Sequence, residues 1–147
     1  REAVTSPGLE EFLSIPAITV TKTKRNKSVL SEDNARDPYF FRRSWLQERL
    51  HANADDLKLV YVQGDSMEPN LIDGDIIIVN TADPKPKDGD PYVINYEGEV
   101  VVKRLTRDAG EWWLTSDNIA PRYHRRIVRT NETKVVGKVV KRDTMKI

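Results

Sequence analysis

Apolar and polar residues alternate along most of the second half of the chain. From Leu57 onward, short apolar runs show the two-residue period of a strand, in which successive side chains point to opposite faces of a sheet. Turn-forming residues such as Asp73-Gly74-Asp75, Glu97-Gly98 and Ala109-Gly110 separate these runs. Short strands at this spacing indicate a mostly β protein with a compact antiparallel fold. The predicted strands are LKLVYVQG, DIIIVN, PYVINY, EVVVKRL, EWWLTS and KVVGKVVK.

One stretch has the period of a helix instead. Residues 38–51 (PYFFRRSWLQERLH) place apolar side chains three to four positions apart, at Phe41, Trp45, Leu46 and Leu50. The stretch opens with a proline, which is favoured in the first turn of a helix. It therefore predicts one short helix, whose aromatic side chains we expect to pack in the core.

Residues 1–35 show neither period over any length. Pro7-Gly8 and Pro16 interrupt them, and only Ala17–Val20 (AITV) has the β-branched run of a short strand. We therefore expect an N-terminal arm over residues 1–35 and one β domain over residues 36–147. The arm contains no pair of helices joined by a short turn, so it predicts no helix-turn-helix unit.

Composition excludes several classes of site. The chain has 147 residues and no cysteine, which excludes disulfides, thiolate metal sites and cysteine nucleophiles. Its two histidines, His51 and His124, are too few for a histidine-based metal site, and we expect no cofactor. No apolar run approaches the roughly 18 residues of a membrane span. The first residues also lack the charged-then-apolar pattern of a signal peptide, so we expect a cytoplasmic protein without a membrane partner.

Charge is distributed unevenly although the net charge is only +1. Residues 36–120 carry ten basic and sixteen acidic side chains, a net charge of −6. Residues 121–147 carry nine basic and two acidic side chains, a net charge of +7. The basic segment could contact nucleic acid, or it could complement the acidic segment of the same or a neighbouring subunit.

Residues 64–75 (GDSMEPNLIDGD) join two predicted strands and contain the first candidate for chemistry, Ser66. A serine hydroxyl becomes a nucleophile when a base removes its proton and N–H donors face the developing oxyanion. With Asp65 as a helix cap and Pro69 in the first turn, Ser66 would lie at a helix N-terminus beside such donors. The alternative is an ordinary turn serine.

Lys103 is the candidate base, since neither histidine lies at a convincing position. It ends the run Val100-Val101-Val102, and strand alternation puts it on the same face as Val101 and Leu105. If that face is the inner one, burial lowers the pKa of the lysine, and a neutral amine can act as a general base. The alternative is an edge-strand lysine whose stem reaches water.

These residues together resemble a known family. GDSMEPNLIDGDIIIV, followed by VVKRL with Lys103 placed 37 positions after Ser66, is similar to the self-cleaving peptidase domain of LexA, UmuD and lambda-type phage repressors. The Asp73-Gly74-Asp75 turn, Thr115-Ser116-Asp117-Asn118 and the closing strand KVVGKVV also match, so the resemblance extends from about Tyr39 to Val140. Residues FFRRSWLQERLHANADDLKLVYV resemble the phage-repressor branch.

The resemblance implies a LexA-like β fold in which Ser66 is the nucleophile and Lys103 its general base. It also implies the C-terminal domain of a transcriptional repressor, which self-associates as a homodimer or higher oligomer. DNA would be bound through a helix-turn-helix domain ahead of Arg1. An antirepressor or a RecA-type activator is a further expected partner. The alternatives are a stand-alone accessory subunit like UmuD and a non-cleaving interaction module.

The sequence departs from the family pattern at the expected cleavage site. Self-cleaving members cut an Ala-Gly or Cys-Gly bond a few tens of residues before the serine, and residues 1–60 contain neither pair. Pro7-Gly8 is a poor match, and residues 26–37 have no glycine. Ala109-Gly110 follows Lys103, where a hairpin turn is expected. Self-cleavage is therefore left open at this point.

Overall fold

The structure is a computed structural model that describes residues 11–22, 28–33, 36–129, 131 and 133–143. Strands account for most of the regular structure. They are β1 (Phe12–Ile15), β2 (Ile18–Lys22), β3 (Ser28–Glu32), β4 (Tyr39–Arg42), β5 (Leu57–Tyr61), β6 (Ile76–Asn80), β7 (Asp90–Tyr96), β8 (Glu99–Asp108), β9 (Glu111–Thr115), β10 (Arg126–Ile127) and β11 (Thr133–Asp143).

In the part of the chain that the structure describes, seven strands form the main sheet, in the order β10-β9-β8-β7-β11-β6-β5, and every neighbouring pair is antiparallel. The six strands predicted after Leu57 correspond to β5, β6, β7, β8, β9 and β11. Sequence patterning therefore predicted the fold class correctly. The mostly β, LexA-like antiparallel architecture with one short helix is confirmed.

Strand β6 lies at the centre of the packing because its two faces bury separate apolar clusters. Ile77 and Val79 belong on one face to the same buried cluster as Met67 and Leu71. Ile76 and Ile78 pack on the other face, against side chains that include Ile15, Ala17, Leu46, Leu57 and Leu59. A strand buried on both sides explains the continuous apolar run IIIV, which has no polar alternation.

Strand β11 changes partners midway along its length. It pairs with β7 through Lys138 and with β6 from Lys138 onward, with a register irregularity on each side. Gly137 lies at this crossover, where an added Cβ would stand 2.5 Å from the carbonyl oxygen of Asn80. Only a glycine fits so close an approach of two backbones.

Two small antiparallel pairs, β1-β4 and β2-β3, precede the sheet. Residues 39–42, which were predicted as the start of a helix, instead form β4 and pair with β1. The helix itself begins at Arg43 and continues to Leu50, with a π-helical second half over Leu46–Leu50. Tyr39 and Phe41 turn inward while Phe40 and Arg42 are exposed, so a two-residue period replaces the expected helical one.

Strands β1 and β2 also extend the regular structure of the predicted arm beyond the run Ala17–Val20. Ile15 and Ala17 are fully buried in the cluster that covers one face of β5 and β6. The boundary between the N-terminal arm and the β domain, near residue 35, stays a prediction. Among the described residues, no helix is long and apolar enough to cross a membrane.

Candidate active site

Ser66 lies in a series of turns between β5 and β6. Glu68 N donates to the carbonyl oxygen of Asp65 at 3.1 Å, and Leu71 N donates to that of Met67 at 2.9 Å. The predicted helix does not form here, because the turns end after one helical hydrogen bond. Met67 and Leu71 are buried and anchor the turn in the core, while Ser66 is half-buried.

The base of this turn is closed by Asp73-Gly74-Asp75. Val62 N donates to the carbonyl oxygen of Asp75 at 2.8 Å, and Gly74 N donates to that of Val62 at 2.9 Å. The Asp73 side chain accepts a 2.7 Å hydrogen bond from Gly64 N. These hydrogen bonds hold both ends of the segment that presents Ser66.

Two backbone N–H groups of the Ser66 turn are without an acceptor in the described part of the chain. They are the N–H groups of Ser66 and Met67. Unpaired N–H groups beside a nucleophile are the donors that an oxyanion requires. Among the described residues, the turn therefore leaves two N–H groups without acceptors at Ser66 and Met67, although no helix N-terminus forms there.

The carboxylate of Asp65 does not cap a helix as expected. It accepts hydrogen bonds from the Tyr123 hydroxyl and from Arg122 Nη2, the second at 2.8 Å. The hydrogen bond from Tyr123, reinforced by the charge of Arg122, holds the pKa of Asp65 below its usual range. Asp65 thereby joins the Ser66 turn to the short 3₁₀ helix Pro121–Tyr123.

Lys103 lies on β8, on the face that Val101 and Leu105 share, as alternation predicted. Its side chain is partly buried, and its Nζ makes a 2.7 Å hydrogen bond with Ser116 Oγ. The Tyr123 ring centroid lies 5.5 Å from Nζ. Burial, and secondarily the positive charge of Arg126, lowers the pKa of Lys103. In the described residues no carboxylate lies within ion-pair distance of this ammonium.

A cavity of about 390 Å³ opens beside Lys103. Ser116, Tyr123 and Leu114 line it together with Lys103, and charged side chains that include Glu97 also border it. The cavity gives the amine access to solvent and to a bound group. Lys103 is therefore partly desolvated without being sealed inside the protein.

One short segment contacts both candidate residues. Ser116 holds the Lys103 amine, while Asn118 N donates to the carbonyl oxygen of Ser66 at 3.0 Å. The Asn118 side chain also donates to the carbonyl oxygen of Asp65 at 2.8 Å. Within the described residues, no hydrogen bond joins Ser66 to Lys103 directly.

Sequence reasoning named Ser116 and Asn118 only as part of a matching motif and missed Tyr123. A signal for Ser116 was present in the sequence. Lys103 and Ser116 are equidistant from the turn Ala109-Gly110, so a two-residue hairpin places them opposite each other. The register Arg104↔Thr115, continued by one residue, gives this pairing.

The structure also describes Ala109-Gly110, His51 and His124, which the sequence analysis considered. Ala109-Gly110 forms the turn between β8 and β9, with both residues at positive φ, which confirms the hairpin. His51 is exposed at the end of the helix, and His124 is exposed at the border of the cavity. Pro7-Gly8 lies outside the described residues.

Comparison with known proteins finds one family model and several LexA repressors that are similar to this chain. The family model described as "Peptidase S24-like" matches residues 18–140. LexA repressor of Carboxydothermus hydrogenoformans is 30% identical over 95% of this chain and 64% of its own length. LexA repressor 1 of Xanthomonas axonopodis pv. citri is 38% identical over 46% of this chain and 33% of its own length.

LexA repressor 2 of Pseudomonas syringae pv. tomato is 39% identical over 50% of this chain and 36% of its own length. The chain therefore spans less than two thirds of each of these relatives. The family model covers the Ser66 turn, Lys103 and the segment that contacts them both. The chain belongs to the peptidase S24-like family.

Proposed function

We propose that this chain performs peptide-bond cleavage with a Ser66–Lys103 dyad, as the C-terminal part of a LexA-like transcriptional repressor. The supporting observation is the environment of Lys103. Its amine is partly buried, has no carboxylate partner among the described residues, and is held by the same segment that hydrogen-bonds the Ser66 turn. A lysine so placed can be neutral, and the Ser116–Asn118 segment connects it to the Ser66 turn.

The chemistry starts with the neutral Lys103 amine. It accepts the Ser66 hydroxyl proton as Oγ attacks the carbonyl carbon of a peptide bond, which forms a tetrahedral oxyanion. The N–H groups of Ser66 and Met67 are available to donate to that oxyanion. The Lys103 ammonium then protonates the leaving amine as the C–N bond breaks. A water molecule, deprotonated by the same amine, hydrolyses the ester and restores Ser66.

The rest of the function rests on resemblance. We propose a phage-type repressor that acts in the cytoplasm and binds DNA through a helix-turn-helix domain ahead of Arg1. Self-association of the β domain, residues 36–147, would join two such domains and raise the effective concentration of the second DNA contact. An antirepressor or a RecA-type activator would relieve repression. The relatives are named LexA repressors, which supports the repressor role, and each is longer than this chain, which leaves room for a DNA-binding domain.

A non-cleaving interaction module is the second candidate. Two observations favour it: Lys103 hydrogen-bonds Ser116 rather than Ser66, and residues 1–60 contain no Ala-Gly or Cys-Gly pair. Such a module would keep the dyad and act through self-association alone. A stand-alone accessory subunit like UmuD has less support, since its Cys-Gly bond has no counterpart here.

Alkaline incubation followed by mass spectrometry tests the peptidase proposal. High pH favours the neutral amine, so the chain should release a fragment whose mass identifies the bond cut. Ser66→Ala and Lys103→Ala should each abolish the fragment. Ser14→Ala and Lys138→Ala are matched controls, because Ser14 is exposed on β1 and Lys138 forms an ion pair with Asp90.

The outcomes separate the candidates. The same fragment from Ser66→Ala would exclude Ser66 as the nucleophile. An intact chain at every pH would favour the non-cleaving module. Sizing over a concentration series tests self-association, and a strict monomer at high concentration would contradict the repressor proposal.

A further inference from the structure

Three consecutive residues after β9 make side-chain contacts with different parts of the site. The last pair of the β8–β9 register is Arg104↔Thr115, and continuing it by one residue places Ser116 opposite Lys103, where the two side chains meet at 2.7 Å. Residues opposite each other on antiparallel strands have the shortest side-chain separation that a sheet offers. The position of Ser116 on the hairpin therefore brings its hydroxyl to the Lys103 amine.

Asn118 fixes the other half of the site. Its backbone N–H and its side-chain amide donate to the consecutive carbonyl oxygens of Ser66 and Asp65, at 3.0 and 2.8 Å. Its Oδ1 accepts a 2.9 Å hydrogen bond from Ala120 N, which orients the amide. The turn that carries Ser66 is thus hydrogen-bonded at two successive peptide groups.

Asp117 makes further contacts between these two residues. It accepts two hydrogen bonds from Arg104, of 2.7 and 3.2 Å, and one of 2.8 Å from Asn70 Nδ2. Arg104 follows Lys103 on β8, while Asn70 belongs to the Ser66 turn. Asp117 therefore provides a further connection between β8 and the Ser66 turn.

We propose that Ser116 is a positioning residue for the Lys103 amine, and that the Ser116–Asn118 segment sets the geometry between Lys103 and Ser66. This rests on the proposed function, because the geometry matters only if the two residues react together. Ser116 accepts one N–H of Lys103 in either protonation state. The lone pair of the neutral amine then stays available for the proton that it exchanges with Ser66.

The first test measures the amine and does not require cleavage. NMR titration of the whole chain with carbon-13-labelled lysine follows the Lys103 Cε signal, identified by its loss in Lys103→Met. In Ser116→Ala the ammonium loses an acceptor, so its titration midpoint should move to lower pH. Ser116→Thr keeps the hydroxyl and should restore the original midpoint.

The control substitution lies on the same hairpin. Thr106 and Thr115 share a 2.7 Å hydroxyl hydrogen bond between β8 and β9, away from the amine. Thr106→Val removes that cross-strand hydrogen bond and should leave the Lys103 midpoint unchanged. An unchanged midpoint in Ser116→Ala, or an equal movement in Thr106→Val, would overturn the assignment of Ser116.

The second test uses the cleavage rate where the unaltered chain releases a fragment. At a pH above both midpoints, Ser116→Ala should cleave about tenfold to a hundredfold more slowly, because a misplaced base loses its alignment. The cleavage rate of Ser116→Ala should nevertheless begin to rise at a lower pH than the rate of the unaltered chain. Slower cleavage with an unshifted profile would indicate only structural damage and would contradict the positioning role.

The two proposals fail in different ways. If the unaltered chain does not cleave, the peptidase proposal fails, while the titration still decides whether Ser116 holds the amine. If cleavage depends on Lys103 and yet Ser116→Ala cleaves at the original rate, the dyad stands and the positioning role is wrong.

Discussion

Lys103 and Arg104 are neighbours on β8, and their side chains occupy opposite environments. Arg104 forms an ion pair with Asp117, whose side chain is 9% exposed, and donates a 2.9 Å hydrogen bond to the carbonyl oxygen of Gly89. The hydrogen bond with Asp117 raises the pKa of Arg104. Lys103 instead contacts a hydroxyl and an aromatic ring, and burial lowers its pKa.

Two neighbouring basic residues of one strand therefore have different electrostatic surroundings. The guanidinium stays charged and ties β8 to the segment at Asp117, which makes it a structural cation. The amine has no carboxylate partner among the described residues, and burial lowers its pKa, so its charged form is less favoured than the charged form of Arg104. Alternation of side chains across the sheet separates the two environments.

The largest expected effect comes from removing the partner of Arg104. Asp117→Ala leaves a partly buried guanidinium without its carboxylate and Asn70 without its acceptor. We expect the free energy of unfolding to fall by about 2 kcal/mol, below the cost for a fully buried pair because Arg104 is partly exposed. Urea unfolding of the two proteins measures this difference. A loss no larger than that of the exposed-pair variant Asp108→Ala would contradict a structural role for the Arg104 ion pair.

A smaller change in the free energy of unfolding, of opposite sign, is expected from a substitution on the other face of β8. Lys103→Met replaces a partly desolvated ammonium by an apolar side chain of similar length, so the free energy of unfolding should rise by about 1 kcal/mol at neutral pH. Urea midpoints of both proteins at neutral and alkaline pH provide the measurement.

The gain from Lys103→Met should also depend on pH with a defined sign. The pKa of Lys103 is lower in the folded chain than in the unfolded chain, so the unfolded state binds more protons between the two values. The unaltered chain therefore becomes more stable as pH rises through that window. The advantage of Lys103→Met should be full below the folded-state pKa and shrink above it. A constant difference would show that Lys103 is not desolvated.

The smallest effect concerns a neighbouring charge. Arg126 contributes secondarily to the lowered pKa of Lys103, so Arg126→Ala should move the Lys103 titration to higher pH. NMR titration of Lys103 detects the change. Arg125→Ala is the matched control, because Arg125 stacks on Trp113 and pairs with Asp108. An equal movement in both variants would assign the effect to net charge rather than to Arg126.

Local patterning predicted the sheet well where each strand buries alternate residues or an apolar run. It failed at Tyr39–Arg42, where Phe41, Trp45 and Leu50 fit a helical period while Tyr39 and Phe41 also fit the strand period. The pairing of β4 with β1 decided between the two. The pattern of residues Phe12–Ile15 (FLSI) is too short to predict a strand.

The sequence by itself determined the candidate residues: Ser66 in a turn between strands and Lys103 at the end of an apolar run, in the order of the family. Only the tertiary structure decided what surrounds them. The hairpin register brings Ser116 to the Lys103 amine, and folding brings Asn118, distant in sequence, to the backbone of the Ser66 turn. The hydrogen-bond partners and desolvation of a side chain depend on which strands meet, and local sequence does not specify that meeting.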